Sequence, residues 1–298
     1  MRRIALFLLT NIAVLVLLSI VCHVFGIDQM AASRGYGGMT GLLLFAAVFG
    51  MGGAFISLAI SKWMAKRSTG AKVIVQAQNE TERWLLDTVR QHAELAGIGM
   101  PEVAIYDAPE MNAFATGMSK NHALVAVSTG LLQQMDRAQI KAVLGHEIGH
   151  IANGDMVTLT LIQGVLNTLV ILAARIVGRA VDSWISGGRD SRGGGIGYFV
   201  VVMALQIVFG LFASMIVAAF SRWREFRADQ AGATFAGRGA MISALQRLKL
   251  NDGESTLPKT MAAFGISGPL AEGFKRLFMS HPPLDERIAI LQNSPVQG

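Results

Sequence analysis

The chain is 298 residues long, with 52% hydrophobic and only 15% charged residues, well below the roughly 25% charged of soluble globular domains. This composition excludes an ordinary soluble enzyme and places much of the chain in lipid, while the length allows one or two domains. The net charge of +6 does not point to nucleic acid, because Arg2, Arg3, Lys62, Lys66, Arg67 and Lys72 cluster beside apolar runs, where basic residues flank membranes and meet anionic headgroups.

Residues 4–22, IALFLLTNIAVLVLLSIVC, carry no charge and are long enough to cross a hydrocarbon core of ~30 Å as a helix. They read as an anchor; a cleaved signal peptide is the alternative, opposed by the length of the run and by the lack of a small-residue cleavage site. The one cysteine in the chain excludes a disulfide framework and fits a reducing compartment or burial in the membrane. Residues 39–60 form a second uncharged span whose GMGG stretch reads as helix packing rather than a ligand site. Residues 156–174 and 198–220 are third and fourth candidates, and the polar Gln163 and Asn167 require partners inside the bilayer. By the positive-inside rule, the N-terminus and the segment from 61 onward face the cytoplasm. The connection 175–197 carries Arg175, Arg179, Arg189 and Arg192 where four full crossings would put it outside. Either the first pair of spans dominates topology, or the last two segments form a shallow hairpin that does not cross completely. The stretch GGRDSRGGGIG in that connection reads as a flexible loop.

Two polar regions, 61–155 and 221–298, are expected to pack into one domain. In TERWLLDTVRQHAELAG (81–97), Trp84, Leu85, Thr88, Val89 and His92 share a helical face, and Gly97 is a plausible helix end; His92 reads as a helix-surface residue. Three β-like runs follow at 101–107, 112–117 and 123–128, with SKN at 119–121 as a turn, and suggest a small antiparallel sheet. Asp136 and Gln139 have the spacing of a capping box, which starts a helix running through AVLGHEIGHIANGD (142–155).

His146 and His150, four residues apart on that helix, share a face and can reach one metal ion. Glu147 between them completes the HExxH arrangement of zinc proteases, in which the glutamate is the general base and zinc polarises the scissile carbonyl. The bland alternative is a chance match on a cytosolic helix. The motif needs a third ligand, and Glu225 in SRWREFRADQAG is the candidate, with Asp229 one turn further on. His150 precedes the third apolar segment and Glu225 follows the fourth, so at 1.5 Å per residue both stand within ~10 Å of the membrane boundary.

HEIGHIANGD, EFRAD after a hydrophobic hairpin, SHPPLDER at 280–287 and NAFATG at 112–117 together resemble the HtpX family of bacterial membrane zinc metalloproteases, relatives of the CAAX prenyl proteases. The resemblance covers essentially the whole chain. It implies that His146, His150 and Glu225 ligate one zinc ion per chain, that Glu147 is the catalytic base, and that Asp229 orients a zinc-bound histidine. His281 and Arg287 would match an element near the cleft that stabilises the oxyanion or holds substrate; for His281 the alternative is to fix the Pro282-Pro283 turn. Asn112, Ala113, Phe114 and Ala115 would form the cleft's edge strand and bind substrate by strand addition, and Asn112 could instead cap a turn.

The expected fold is therefore α+β: an integral membrane protein with about four transmembrane helices and a zincin-like, gluzincin-type catalytic domain, mainly helical with a small antiparallel sheet. Its parts are a transmembrane hairpin (1–60), the first part of a cytoplasmic zincin domain (61–155), a second hydrophobic hairpin (156–220) and the second part of the zincin domain (221–298). The expected activity is zinc-dependent cleavage of misfolded or damaged membrane proteins at the cytoplasmic face of the bacterial inner membrane, with the bilayer and membrane-protein substrates as partners. A dedicated prenyl-protein protease and a non-enzymatic transporter or scaffold are the rivals. Transport would call for ionisable ligands within the spans, which hold no Asp, Glu or His.

Overall fold

The computed structural model describes residues 39–185, 196–251 and 279–293. The expected first span, 4–22, and the core of the glycine-rich connection, 186–195, lie outside them. The elements in chain order are α1 (Met39–Thr69), β1 (Lys72–Val73), α2 (Glu80–Leu95), β2 (Glu102–Tyr106), β3 (Ala113–Gly117), β4 (Ala123–Ser128), α3 (Thr129–Gln134), α4 (Arg137–Asn153), α5 (Asp155–Ile185), α6 (Ile196–Ala236), α7 (Arg238–Asn251) and α8 (Leu284–Asn293). Among the described residues three helices are long and apolar enough to cross a membrane: Phe45–Thr69, Asp155–Gly178 and Tyr198–Ala236. Helices α5 and α6 run into the expected 175–197 connection, α5 as far as Ile185 and α6 from Ile196.

The chain forms two compact units, one of residues 1–57 and 160–217 and the other of 58–159 and 218–298. In the first, small residues allow close helix contact: a methyl group on Gly50 would fall 2.2 Å from Thr168 Oγ1, and one on Gly164 3.0 Å from Met51 Sδ. The GMGG stretch thus packs at its first glycine, as the sequence suggests. Gln163 Nε2 donates to Asn167 Oδ1 at 2.9 Å, so the two amides in the third apolar segment satisfy each other one turn apart.

The second unit is built on a four-stranded sheet in the order β1-β2-β4-β3. The three strands read from the sequence are present, but the sheet is mixed. β3 and β4 form the expected antiparallel hairpin, whereas β2 pairs with β4 in parallel, Val103 opposite Val125. The connection 107–112 is too irregular for a hairpin and carries the chain past β4, so β3 becomes an outer strand. The two-residue β1, antiparallel to β2, is too short to leave a period-two signal. Helix α1 is tied down here as well: Lys62 and Lys66 meet the two oxygens of Glu102 at 2.7 and 3.0 Å.

Helix α4 starts at the predicted capping box, with Gln139 N–H donating to Asp136 Oδ1 at 2.8 Å. Its apolar face, Ile140, Val143, Leu144, Ile148 and Ile151, lies in the main core with residues of α2, β4 and α7. His92 corrects the sequence reading, for it is fully buried. Its Nε2 lies 3.0 Å from the carbonyl oxygen of Lys141 on α4 and its ring stacks on Phe235 at 5.5 Å. Burial lowers its pKa and keeps it neutral, so the Nε2 proton is donated to that carbonyl.

Candidate metal centre

Two helices carry the site, and glycines let them touch. A methyl group on Gly149 of α4 would fall 2.6 Å from Ala231 Cβ of α6, and one on Gly232 of α6 would fall 2.9 Å from Ala142 O of α4. Gly145 and Gly149 alternate with the histidines around α4, so glycines face α6 at close range and leave the imidazoles free to converge with α6 carboxylates. Helix α4 ends at Gly154, whose left-handed conformation (φ 68°) turns its N–H onto the carbonyls of His150 and Ile151. The next residue, Asp155, opens α5 and folds back onto the ring of His150.

The structure brings His146, His150 and Glu225 together, with one ligand atom of each within 4.8 Å of the others. The Nε2 atoms of the two histidines are 3.1 Å apart. Glu225 Oε1 lies 3.3 Å from His150 Nε2, and Oε2 3.6 Å from His146 Nε2. Each ring is held from behind by a carboxylate: His146 Nδ1 is 2.9 Å from Asp229 Oδ1, and His150 Nδ1 is 2.6 Å from Asp155 Oδ2. These contacts assign the proton to Nδ1 in both rings and turn the Nε2 lone pairs inward. With His150 in its neutral form, two lone pairs and a carboxylate converge on one point. Glu225 Oε2 is buried with no hydrogen bond among the described residues, although Arg287 Nη1 and His281 Nδ1 stand 3.3 and 2.8 Å away at ion-pair distance. Two imidazole nitrogens and one carboxylate are ligands that suit a divalent zinc ion, so the residues fit a metal.

The electrostatics carry the same message. Burial alone would push the His150 pKa down, but hydrogen bonds to Asp155 and Glu225 and the nearby Glu147 charge outweigh it and raise the pKa to about 9. The pocket attracts positive charge, whether proton or metal. Arg287 grips Asp229 with two parallel bonds, Nε to Oδ2 at 2.7 Å and Nη2 to Oδ1 at 2.5 Å, and the Asp229 carboxylate enhances the Arg287 charge in spite of burial.

The remaining predicted residues sit as follows. Glu147 is buried on α4 beside the two histidines and acts electrostatically on both His150 and Arg287. His281 is largely exposed and reaches Glu225 from the segment before α8. Asn112 is fixed by its backbone, since its N–H donates to Ser128 Oγ at 3.0 Å and its carbonyl accepts from Ser128 N–H at 2.9 Å. Ala113, Phe114 and Ala115 lie on β3 at the sheet edge; Phe114 packs with Tyr106 on one face, while Ala113 and Ala115 face the core that holds α4. Asp155 was not singled out from the sequence. Its signal was a carboxylate just beyond a glycine that ends the motif helix. Arg224, buried and 3.9 Å from Asp155, was also missed.

The profile of peptidase family M48 matches residues 79–294. The chain is 62% identical over 293 residues to a protein named Protease HtpX from Xanthomonas campestris pv. campestris (strain B100), covering 98% of both chains. It is 61% identical over 294 residues to the Protease HtpX of Stenotrophomonas maltophilia (strain R551-3), covering 99% of both. Among solved structures it is similar to S. mikatae Ste24p, with a TM-score of 0.66 at 18% identity over 94% of this chain. The chain spans 62% of the length of that protein, and the likeness is one of fold.

Proposed function

The chain belongs to peptidase family M48 and is a membrane metalloprotease, and from that premise we propose that it is a zinc endopeptidase cleaving misfolded or damaged membrane proteins at the cytoplasmic face of the bacterial inner membrane. The observation that carries the metal chemistry is the convergence of two inward-facing Nε2 atoms and the Glu225 carboxylate. His146, His150 and Glu225 would hold the ion. Bound there, zinc would polarise the scissile carbonyl and acidify the attacking water.

Glu147 accepts the proton of that water on its carboxylate and delivers it to the leaving amine nitrogen. Asp229 and Asp155 keep the two imidazoles in one tautomer and orientation, and Arg287 holds Asp229 in place. His281, exposed beside Glu225, donates to the developing oxyanion. The outer strand β3, through Ala113, Phe114 and Ala115 with Asn112 just before it, is the edge to which an extended substrate adds as a fifth strand. The basic residues at the end of α1, Lys62, Lys66 and Arg67, with Lys72 just beyond it, support the cytoplasmic orientation by the positive-inside rule. Membrane-embedded substrates follow from a site that lies where α4 meets a membrane helix.

The test is zinc content and cleavage of casein and of a membrane-protein substrate, measured on wild type, Glu147→Gln and Glu225→Ala. The expected result is about one zinc per chain with activity in wild type, zinc without activity in Glu147→Gln, and neither in Glu225→Ala. Equal cleavage by wild type and Glu147→Gln would overturn the assignment of the base.

A further inference from the structure

We infer that the catalytic unit docks on the leaflet beside it through an apolar and basic rim formed by the end of α2 and the tip of the β3–β4 hairpin, elements distant in sequence from any membrane helix. Two helices mark the level of the lipid. The apolar helix α5 begins at Asp155, and the uncharged run of α6 ends at Phe220. The two points lie within about one helical turn of the same level, because Asp155 stands 3.9 Å from Arg224, one turn past Phe220, and Asn153 Oδ1 accepts from Arg227 at 3.0 Å. Just past that run, Trp223 is 54% exposed with the Arg227 guanidinium 5.1 Å over its ring, an amphipathic pair of the kind that settles at headgroup depth.

Other parts of the unit reach this level. The hairpin tip lies at the same end of α4, since a methyl group built on Gly154 would be 3.6 Å from Lys120 Cε. The tip is tied to the loop after α2, where Gly99 N–H donates to Asn121 Oδ1 at 2.9 Å. Ala96 lines one shallow cavity with Ala152, Asn153 and Arg227, which puts the end of α2 at this level as well.

These segments carry the wrong side chains for water. Leu95 is 68% exposed, Met118 55% and Met100 41%. Segments 95–101 and 117–123 contain no acidic residue, the exposed Glu94 standing just before the first, and Lys120 supplies positive charge. Exposed apolar side chains beside a lysine, near the end of α4 from which a membrane helix starts, match the interfacial layer of a bilayer. The occupant is the lipid itself: the apolar tips lie at the acyl boundary and Lys120 among the phosphates. The inference does not depend on the metal chemistry.

The test uses the full chain in lipid nanodiscs containing phosphatidylglycerol, with Cys22→Ser removing the native thiol. An environment-sensitive fluorophore is attached at Met118→Cys, at Leu95→Cys and, as control, at Ala138→Cys. Ala138 is exposed near the other end of α4, fifteen residues or ~22 Å from Asn153. Docking predicts blue-shifted emission at positions 118 and 95, quenching by lipids spin-labelled near the headgroup, and protection from aqueous iodide; position 138 shows the reverse. Adding Lys120→Glu to the Met118→Cys chain raises iodide quenching in phosphatidylglycerol discs. Labels at 118 and 95 as accessible to iodide as the label at 138 would overturn the proposal. So would protection from iodide without quenching by lipid, which would mean that protein covers the rim.

Discussion

Replacing Asp155 with asparagine probes the support of the metal centre at its shortest histidine contact. The bond from His150 Nδ1 to Asp155 Oδ2 is 2.6 Å between buried groups, a charge-assisted type worth ~1.5–3 kcal/mol. Its loss lowers zinc affinity ~10- to 100-fold, the range found when the partner of a ligating histidine is removed. The same carboxylate holds a proton on the metal-free site, where the His150 pKa is about 9. Zinc must displace that proton, so wild-type apparent affinity is greatest above the pKa and declines about tenfold per unit as pH falls below it. Asp155→Asn lowers the pKa and weakens the competing proton. The deficit of the variant is therefore largest at high pH and narrows towards neutrality. Competition with a chromogenic zinc chelator, in detergent near pH 7 and near pH 10, reads both effects. A deficit that is the same at the two pH values, or absent from both, refutes the reasoning.

Gly149→Ala forces α4 and α6 apart, because the new methyl group meets Ala231 Cβ at 2.6 Å; a loss of ~1–3 kcal/mol and weaker zinc binding are expected in thermal melts and zinc titrations. Adding Ala231→Gly to that chain recovers part of the loss, and no recovery would place the strain elsewhere. Arg287→Lys replaces the two parallel bonds to Asp229 with one at most, and reduced zinc retention under dialysis checks it. Burial lowers the His92 pKa, so below the unfolded value of ~6.5 the unfolded chain binds a proton that the folded chain refuses, and stability falls as pH drops. Melting curves across that range in wild type and His92→Gln separate the contribution; identical slopes count against it.

The metal centre was legible where its signals are local. Asp136 and Gln139 announce the start of α4, and the i,i+4 spacing of His146 and His150 fixes their common face. Glu225 could be paired with them because an antiparallel hairpin returns the chain to the level at which it left. Asp155 was not legible, since its role depends on the left-handed turn at Gly154 that folds it back. The parallel pairing of β2 with β4 is non-local, and alternation within a strand says nothing of its neighbour. His92 was read as a surface residue, although its helical companions Leu85, Thr88 and Val89 form the buried face. A periodic pattern reveals the face, and only the carbonyl of Lys141 shows why an imidazole is tolerated there.

The distribution of the site along the chain orders its appearance during synthesis. His146 and His150 leave the ribosome first, then α5 and α6 must insert before Glu225 and Asp229 can come back to them, and Arg287 arrives last. A nascent chain that stops short of residue 225 holds the two imidazoles, Glu147 and Asp155 but not the third ligand, Glu225. The three-ligand set is thus complete only after both apolar helices that separate its parts, α5 and α6, have been synthesised.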